Sequence, residues 1–402
     1  MIVNSSLRSA LRAAICGLAL AVGLSPGAAP AADDKLRIGV ILPLSGVFSN
    51  EGRQYEQGIA AYQKLHGKTV AGLSVEIITR DDQGPGSGDL ARRLTQELIL
   101  REKVDAIIGY SFTPNAMSTA SLLSEAKRPA IIVNAATSII TERSPYFVRV
   151  SWTLPQSAAT LGDWAAKNGI KTVYTMVSDY APGIDAETWF TKAFVAGGGK
   201  VAGSVRTPIT SMEYAPYLQR VIEAKPDALF AFNPGGDVSV AFMKATRERN
   251  LAGAGIKLLV TGDVVEDNSL PLIGDGLDGV ISAHHYQLGI ATAENERFIK
   301  AYKDIAGADA TPNFRAVQAY DAMDLLYKAV VKTGGKTDAE GLLAAMKGMT
   351  LASPRGAITI DAQTRDIVQD VYIRRGEKID GRWQNRSFDT YKAVADPGKT
   401  PR

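Results

Sequence analysis

Residues Leu36-Arg-Ile-Gly-Val-Ile-Leu-Pro-Leu-Ser-Gly46 run an apolar stretch straight into a turn, and from Gly52 to His66 the residues Tyr55, Ile59 and Tyr62 recur at helical spacing. An apolar run without alternation reads as a strand covered on both faces, and a helix directly after it covers one of them. The same unit repeats downstream. Leu73-Ser-Val-Glu-Ile-Ile78 reads as a strand, and Leu90, Leu94, Leu98 and Ile99 stripe a helix. Ala106-Ile-Ile108 is a strand, Asn115 to Ala126 a helix and Pro129-Ala-Ile-Ile-Val133 a strand again. Strands alternating with helices at this pitch predict right-handed βαβ units and a mainly parallel sheet.

The series breaks at Phe147–Val150 and Ser151–Pro155, then restarts with strands expected near 172–177, 200–206, 228–232 and 256–261 and helices between them. Two successive runs of about 120 residues predict two similar α/β lobes. Three helices follow, within Ala293–Ala306, Val317–Thr333 and Asp338–Met346, and then strands near 358–361 and 371–375. The expected division is residues 1–31 as an export leader, 32–153 with 284–353 as lobe 1, 154–283 with 354–391 as lobe 2, and 392–402 as a frayed tail.

The leader is read from its charges. Arg8 and Arg12 are the only charged residues before Asp33, an apolar run spans Ala13 to Leu24, and Ala29 and Ala31 occupy an Ala-x-Ala site. A basic start, a short apolar segment and small residues predict a secretory signal cleaved near Ala31. The run is too short for a bilayer, which takes about 20 residues, so no direct membrane insertion is expected. Removing it subtracts two positive charges from the formal +3, leaving +1, and takes away Cys16, the chain's one cysteine. Near-neutral charge without basic clusters excludes a nucleic-acid partner.

Catalytic chemistry is sparse. Without a mature cysteine, thiol nucleophiles and thiolate metal sites are excluded. The histidines are His66, His284 and His285, and the adjacent pair, if extended, directs its rings to opposite faces, so neither a metal nor another cofactor is expected. Gly274-Asp-Gly276-Leu-Asp-Gly279 precedes a strand and carries two acids that would repel a pyrophosphate. Gly334-Gly-Lys-Thr337 follows a helix and reads as its C-terminus. The chain is therefore expected not to be an enzyme. The competing readings are an exported hydrolase, which would need a nucleophile–base pair, and an amide-sensing regulator, which would have no use for a leader.

The strand-to-helix junctions stand out instead, because open α/β sheets bind ligands at the carboxyl ends of their strands. Those junctions carry Leu44 to Glu51, Gly109-Tyr-Ser-Phe-Thr-Pro-Asn115 and Asn134-Ala-Ala-Thr-Ser138 in the first series, and Ser178-Asp-Tyr180, Asn233-Pro-Gly-Gly236 and Thr261-Gly-Asp263 in the second. Thr113 opens a helix whose free amides and dipole favour an anion such as a carboxylate.

These residues resemble the substrate-binding proteins of ABC importers of the branched-chain amino-acid (Leu/Ile/Val-binding) family. The resemblance runs from Leu36 to about Tyr391 and rests on Ile38-Gly-Val-Ile-Leu-Pro-Leu-Ser-Gly46, Val104-Asp-Ala-Ile-Ile-Gly109, Asn134-Ala-Ala-Thr137, Tyr146-Phe-Val-Arg149 and Asp179-Tyr-Ala-Pro-Gly183. It implies the type I periplasmic binding fold, two Rossmann-like lobes joined by a three-crossover hinge that close on a ligand. The crossings are expected at Ser151–Pro155, Ser282–Tyr286 and Ser353–Gly356. Residue by residue, the resemblance implies that Thr113 binds a ligand carboxylate, that Ala135 and Thr137 supply a carbonyl and a hydroxyl, that Tyr180 covers the ligand and that Asp263 meets its ammonium. Tyr110-Ser-Phe-Thr-Pro114 departs from the family's serine-rich stretch, and Phe48, Phe112 and Tyr180 are suited to stack on a ring. The expected function is a periplasmic receptor that delivers a small carboxylate-bearing solute, a branched-chain or other amino acid, to the membrane subunits of an ABC permease; the alternative is the same role with an aromatic acid or an amide as ligand.

Overall fold

In the computed structural model, residues 35–399 are described; the leader, its Ala-x-Ala site and Cys16 lie outside the described residues. The first series forms β1 (Lys35–Leu42), α1 (Ser49–His66), β2 (Thr69–Val70), β3 (Leu73–Asp81), α2 (Gly88–Leu100), β4 (Ala106–Gly109), α3 (Thr113–Ala126), β5 (Ala130–Ile132), α4 (Ile140–Arg143) and β6 (Phe147–Arg149). Its sheet has the order β2-β3-β1-β4-β5-β6 and is parallel apart from β2. The second series forms α5 (Leu154–Lys167), β7 (Thr172–Ser178), α6 (Ala181–Ala196), β8 (Lys200–Thr207), α7 (Ala215–Ala224), β9 (Ala228–Phe232), α8 (Gly236–Glu248), β10 (Lys257–Thr261), α9 (Leu270–Ile273) and β11 (Ile281–His284).

The chain then returns to the first lobe through α10 (Ala293–Ala306), α11 (Phe314–Lys332) and α12 (Ala339–Met346), and ends in β12 (Thr350–Ser353), β13 (Gly356–Ile360), β14 (Ile367–Ile379) and β15 (Arg382–Val394). The second sheet runs β12-β13-β14-β11-β10-β9-β7-β8, with β15 on the free side of β14. The expected α/β class with two sheets is what the chain forms; β7 to β11 are parallel, and β12 to β15 add antiparallel pairs to the second sheet.

Two details differ from the sequence reading. Ser353–Gly356 is the turn of the β12–β13 hairpin, not a passage between lobes. Leu351, Ile358, Ile360 and Ile367 pack in the first core with α11, while Val371 and Ile373 pack in the second with β7 and β9. The third passage therefore runs along β14, which pairs with β13 at Ile367 and Val368 and with β11 from Tyr372 to Arg375. The end of the chain is also ordered further than expected: β15 pairs with β14 as far as Val394, and Asp396 is buried.

Three buried arginines tie the passages together. Arg149 pairs with Asp366 at 2.9 Å and donates to the Thr137 carbonyl. Arg355 donates to the carbonyls of Val150 and Ser151 and to Gln369, and pairs with Asp321 of α11. Arg374 donates to the Tyr286 carbonyl at 2.7 Å and to the Ser282 hydroxyl.

Close helix packing fixes one glycine. Gly58 of α1 faces α11, and a Cβ there would stand inside the van der Waals radius of the Ala316 carbonyl oxygen. Gly58→Ala is expected to cost about 1–3 kcal/mol by overpacking, read as a lower urea midpoint at an unchanged slope.

Candidate functional site

The carboxyl ends of β4 and β5 face those of β7, β9 and β10, and the loops leaving them enclose a small cavity. Ser111, Phe112, Thr113, Asn134 and Trp152 line it from the first lobe and the first passage, and Tyr180, Pro182, Phe232, Pro234 and Asp263 from the second lobe. Wider hollows occur elsewhere, as around Arg247, Lys257 and Asp278, but that one is formed by the second lobe alone and lies at the amino end of β10.

Four aromatic rings, Phe112, Trp152, Tyr180 and Phe232, give the cavity its apolar walls. Tyr180 and Phe232 stack on each other at 5.9 Å and 17°. Tyr180 stands at the mouth of α6 because the chain turns tightly after β7. Gly183 approaches the Ser178 carbonyl so closely that any Cβ would collide with that oxygen.

The first-lobe floor is built by hydrogen bonds that leave one hydroxyl over. Asn115 donates to Asp82 at 2.7 Å and to the Gly84 carbonyl, which anchors the first turn of α3. The Ser111 hydroxyl pairs with the Tyr55 hydroxyl at 3.0 Å. Asn134 donates to the Ser111 carbonyl at 3.1 Å and accepts from the Trp152 indole at 3.2 Å. No side chain caps α3, and Thr113 Oγ1 is buried without a partner. Opposite, Asp263 is 4% exposed and its Oδ1 is likewise without a partner; burial pushes its carboxyl up to about 7.

The expected ligand residues divide. Phe112, Thr113, Tyr180 and Asp263 line the cavity. Phe48 sits one layer behind, edge-on to Phe112 at 4.8 Å and in the apolar cluster of Val238 and Phe242. Ala135 is packed in the first lobe, its amide bonded to the Tyr110 carbonyl, while its neighbours Asn134 and Ala136 line the cavity. The Thr137 hydroxyl donates to Asp185 of α6, which also accepts from the Ser138 amide at 2.9 Å. Thr137 thus joins the lobes at the cavity's edge. Trp152 and Phe232 were missed because apolar residues in a hinge and a strand read as core.

A second bridge lies beside the cavity. Arg315 of α11 pairs with Glu266 of the second lobe at 2.5 Å and donates to the Pro234 carbonyl at 2.9 Å, and Asn313 donates to the other Glu266 oxygen. Glu51 of α1 is buried next to them, and burial pushes it up to about 7.

The histidine pair also needs correction. The rings of His284 and His285 stand 4.2 Å apart, both packed against Trp152 and Phe314, instead of pointing to opposite faces. The chain leaves β11 at this point, so strand alternation no longer applies. Among the described residues no group of three or more His, Cys, Asp or Glu side chains is placed to hold a metal, and no helix is long and apolar enough to cross a membrane.

Comparison with known proteins agrees with this architecture. The periplasmic binding protein family matches residues 35–381. A Leu/Ile/Val-binding protein homolog of Brucella melitensis is 38% identical over 94% of this chain and 97% of that protein. A solute-binding protein of an ABC transporter from Rhodopseudomonas palustris BisB5, solved with 3,4-dihydroxybenzoic acid, is 48% identical, superposes with a TM-score of 0.88 and covers 91% of this chain and 100% of its own. Its counterpart from strain HaA2, solved with p-hydroxybenzoic acid, is 42% identical with a TM-score of 0.87, over 90% of this chain and 99% of its own. The chain belongs to the periplasmic binding protein family and is a substrate-binding protein of the ABC-importer type.

Proposed function

We propose that this protein is an exported receptor that captures an aromatic carboxylate of the benzoate type between its lobes and delivers it, unaltered, to an ABC permease. The observation that carries the reading is the wall of four aromatic rings, drawn from both lobes, around a cavity at the uncapped start of α3. A flat ring sandwiched among such rings gains about 0.5–1.5 kcal/mol per aromatic pair beyond its area burial, and the α3 amides with the Thr113 hydroxyl are placed to receive its carboxylate. The two Rhodopseudomonas relatives, with aromatic acids bound, support it. Phe48 supports Phe112 from behind, and Ala135 and Thr137 shape the loop that carries Asn134. Contacts from both lobes stabilise the closed form, and the permease is taken to read that form. The jaws follow the division given above except at the third passage, which is placed in β14, and export is by a leader cleaved near Ala31.

An amino-acid ligand is the second reading, favoured by Asp263 as a partner for an ammonium. Calorimetric titration separates the two. Benzoate-type acids are expected to bind and to stabilise the fold by about 2.7 kcal/mol at a hundred times Kd, with the acid recovered unchanged. Leucine, isoleucine and valine are expected to leave the melting temperature where it is. Tight binding of leucine with none of the aromatic acids would overturn the reading.

A further inference from the structure

Within the reading of the cleft as an aromatic-acid site, we propose that Asp263 is a specificity residue that accepts a hydrogen bond from a ring hydroxyl, so that the receptor selects benzoates hydroxylated at the meta or para position over benzoate itself. Two side-chain atoms of the cavity are buried without a hydrogen-bond partner. Ser111 is bonded to Tyr55, and Asn134 is bonded to both the Ser111 carbonyl and Trp152. What remains unpartnered and buried is Thr113 Oγ1 from the first lobe and Asp263 Oδ1 from the second. The two are chemically unlike. Thr113 opens an uncapped helix and welcomes an anion, whereas a second carboxyl beside Asp263 would face like charge. Asp263 needs a donor. An aromatic acid with its carboxylate at Thr113 and its ring between Phe112, Trp152, Tyr180 and Phe232 has its far edge toward the second lobe, where a hydroxyl would meet Asp263. Benzoate would bring only C–H to that point and leave a buried acceptor unsatisfied.

The arrangement is tested by titrating the full mature chain with benzoate and with 2-, 3- and 4-hydroxybenzoate. A hydrogen bond to a charged group predicts that one or both of the 3- and 4-isomers bind roughly ten- to a hundredfold more tightly than benzoate, while the 2-isomer, whose hydroxyl adjoins the carboxylate, matches benzoate. In Asp263→Ala the preference should vanish, the hydroxylated acid losing its ten- to hundredfold advantage over benzoate. Asp263→Asn, which keeps the shape and an acceptor oxygen, should retain part of it. Equal affinity of the wild type for benzoate and every hydroxylated isomer would overturn this proposal while leaving the aromatic-acid reading intact, as would an undiminished preference in Asp263→Ala. Binding of leucine alone would overturn both.

Discussion

Arg355→Met is expected to lower the unfolding free energy by about 3–5 kcal/mol, the cost of stranding one member of a buried ion pair. Arg355 is fully buried and pairs with Asp321 at 2.9 Å. It also satisfies the carbonyls of Val150 and Ser151 on the first passage and the Gln369 side chain on the third. Methionine keeps the aliphatic volume, so the loss isolates the guanidinium. Burial already pushes Asp321 up to about 6 with the arginine present. A carboxyl raised above its usual value binds a proton in the folded chain that the unfolded chain releases. Stability therefore falls as pH rises through the interval from about 4 to 6. Without Arg355 the upper end of that interval moves higher, and the deficit of the variant should be small near about pH 5 and full near about pH 8. Urea unfolding at the two pH values checks this, and a deficit independent of pH would show that the lost carbonyl bonds, not the stranded acid, dominate. Pairing the change with Asp321→Leu should recover most of the loss, because replacing both partners by apolar groups leaves no orphaned charge.

The hinge was legible only in part, and the reason lies in what turn residues encode. Pro354 and Gly356 mark a reversal of the chain, and a reversal is present, but a hairpin and a lobe crossing look alike at that level. The passage along β14 is set by which stretch of one long strand meets β13 and which meets β11, a register that neither composition nor spacing reveals. β15 was invisible for a related cause. Most of its residues are exposed or half-buried, so it has no apolar run and is held by its ladder to β14. β1, β4, β5, β7, β9 and β10 were legible because they are covered on both faces, where burial forces consecutive apolar residues, whereas β3 and β8 were legible without that cover.

The cleft divides in the same way. Thr113 and Asp263 were found because they sit at the strand ends, where topology alone puts a ligand. Trp152 and Phe232 carry no polar mark. Thr137 carries one, but its partner Asp185 comes from the other lobe, so only the folded chain reveals that the hydroxyl is already engaged. The bridge of Glu51, Glu266 and Arg315 is the extreme case. It draws on α1, α11 and the loop after β10, and each residue alone reads as an ordinary solvated charge.

That bridge gives the second large effect. Arg315→Met is expected to weaken binding of the aromatic acid by roughly a hundred- to several thousandfold, since about 3–5 kcal/mol for a stranded buried partner falls on the closed form. Glu266 receives Arg315 at 2.5 Å and Asn313 at 2.9 Å between the lobes, and Glu51 lies in the same buried group with Tyr55 and Asp237 near it. Parted lobes would return these carboxyls to water, where they need no partner, so the unliganded chain should lose much less stability than affinity. Loss of the fold to the same degree as binding would mean that the bridge is an element of the core instead. The charges also set the direction of the pH response. Two buried carboxyls share one guanidinium, and burial pushes Glu51 up to about 7, with Glu266 adding to the rise and Arg315 opposing it. The closed form therefore holds a proton that the open form releases. Closure takes up that proton, and wild-type affinity should decline as pH rises from about 5 past 7. Glu51→Gln removes the titrating group while keeping its shape, so its affinity should lose most of that slope, and titration in buffers of unlike ionisation enthalpy should register less proton uptake than in the wild type. A slope unchanged by Glu51→Gln would assign the proton to Asp263, whose carboxyl burial also pushes up to about 7, and would leave Arg315 as a lock between the lobes without a share in their pH response.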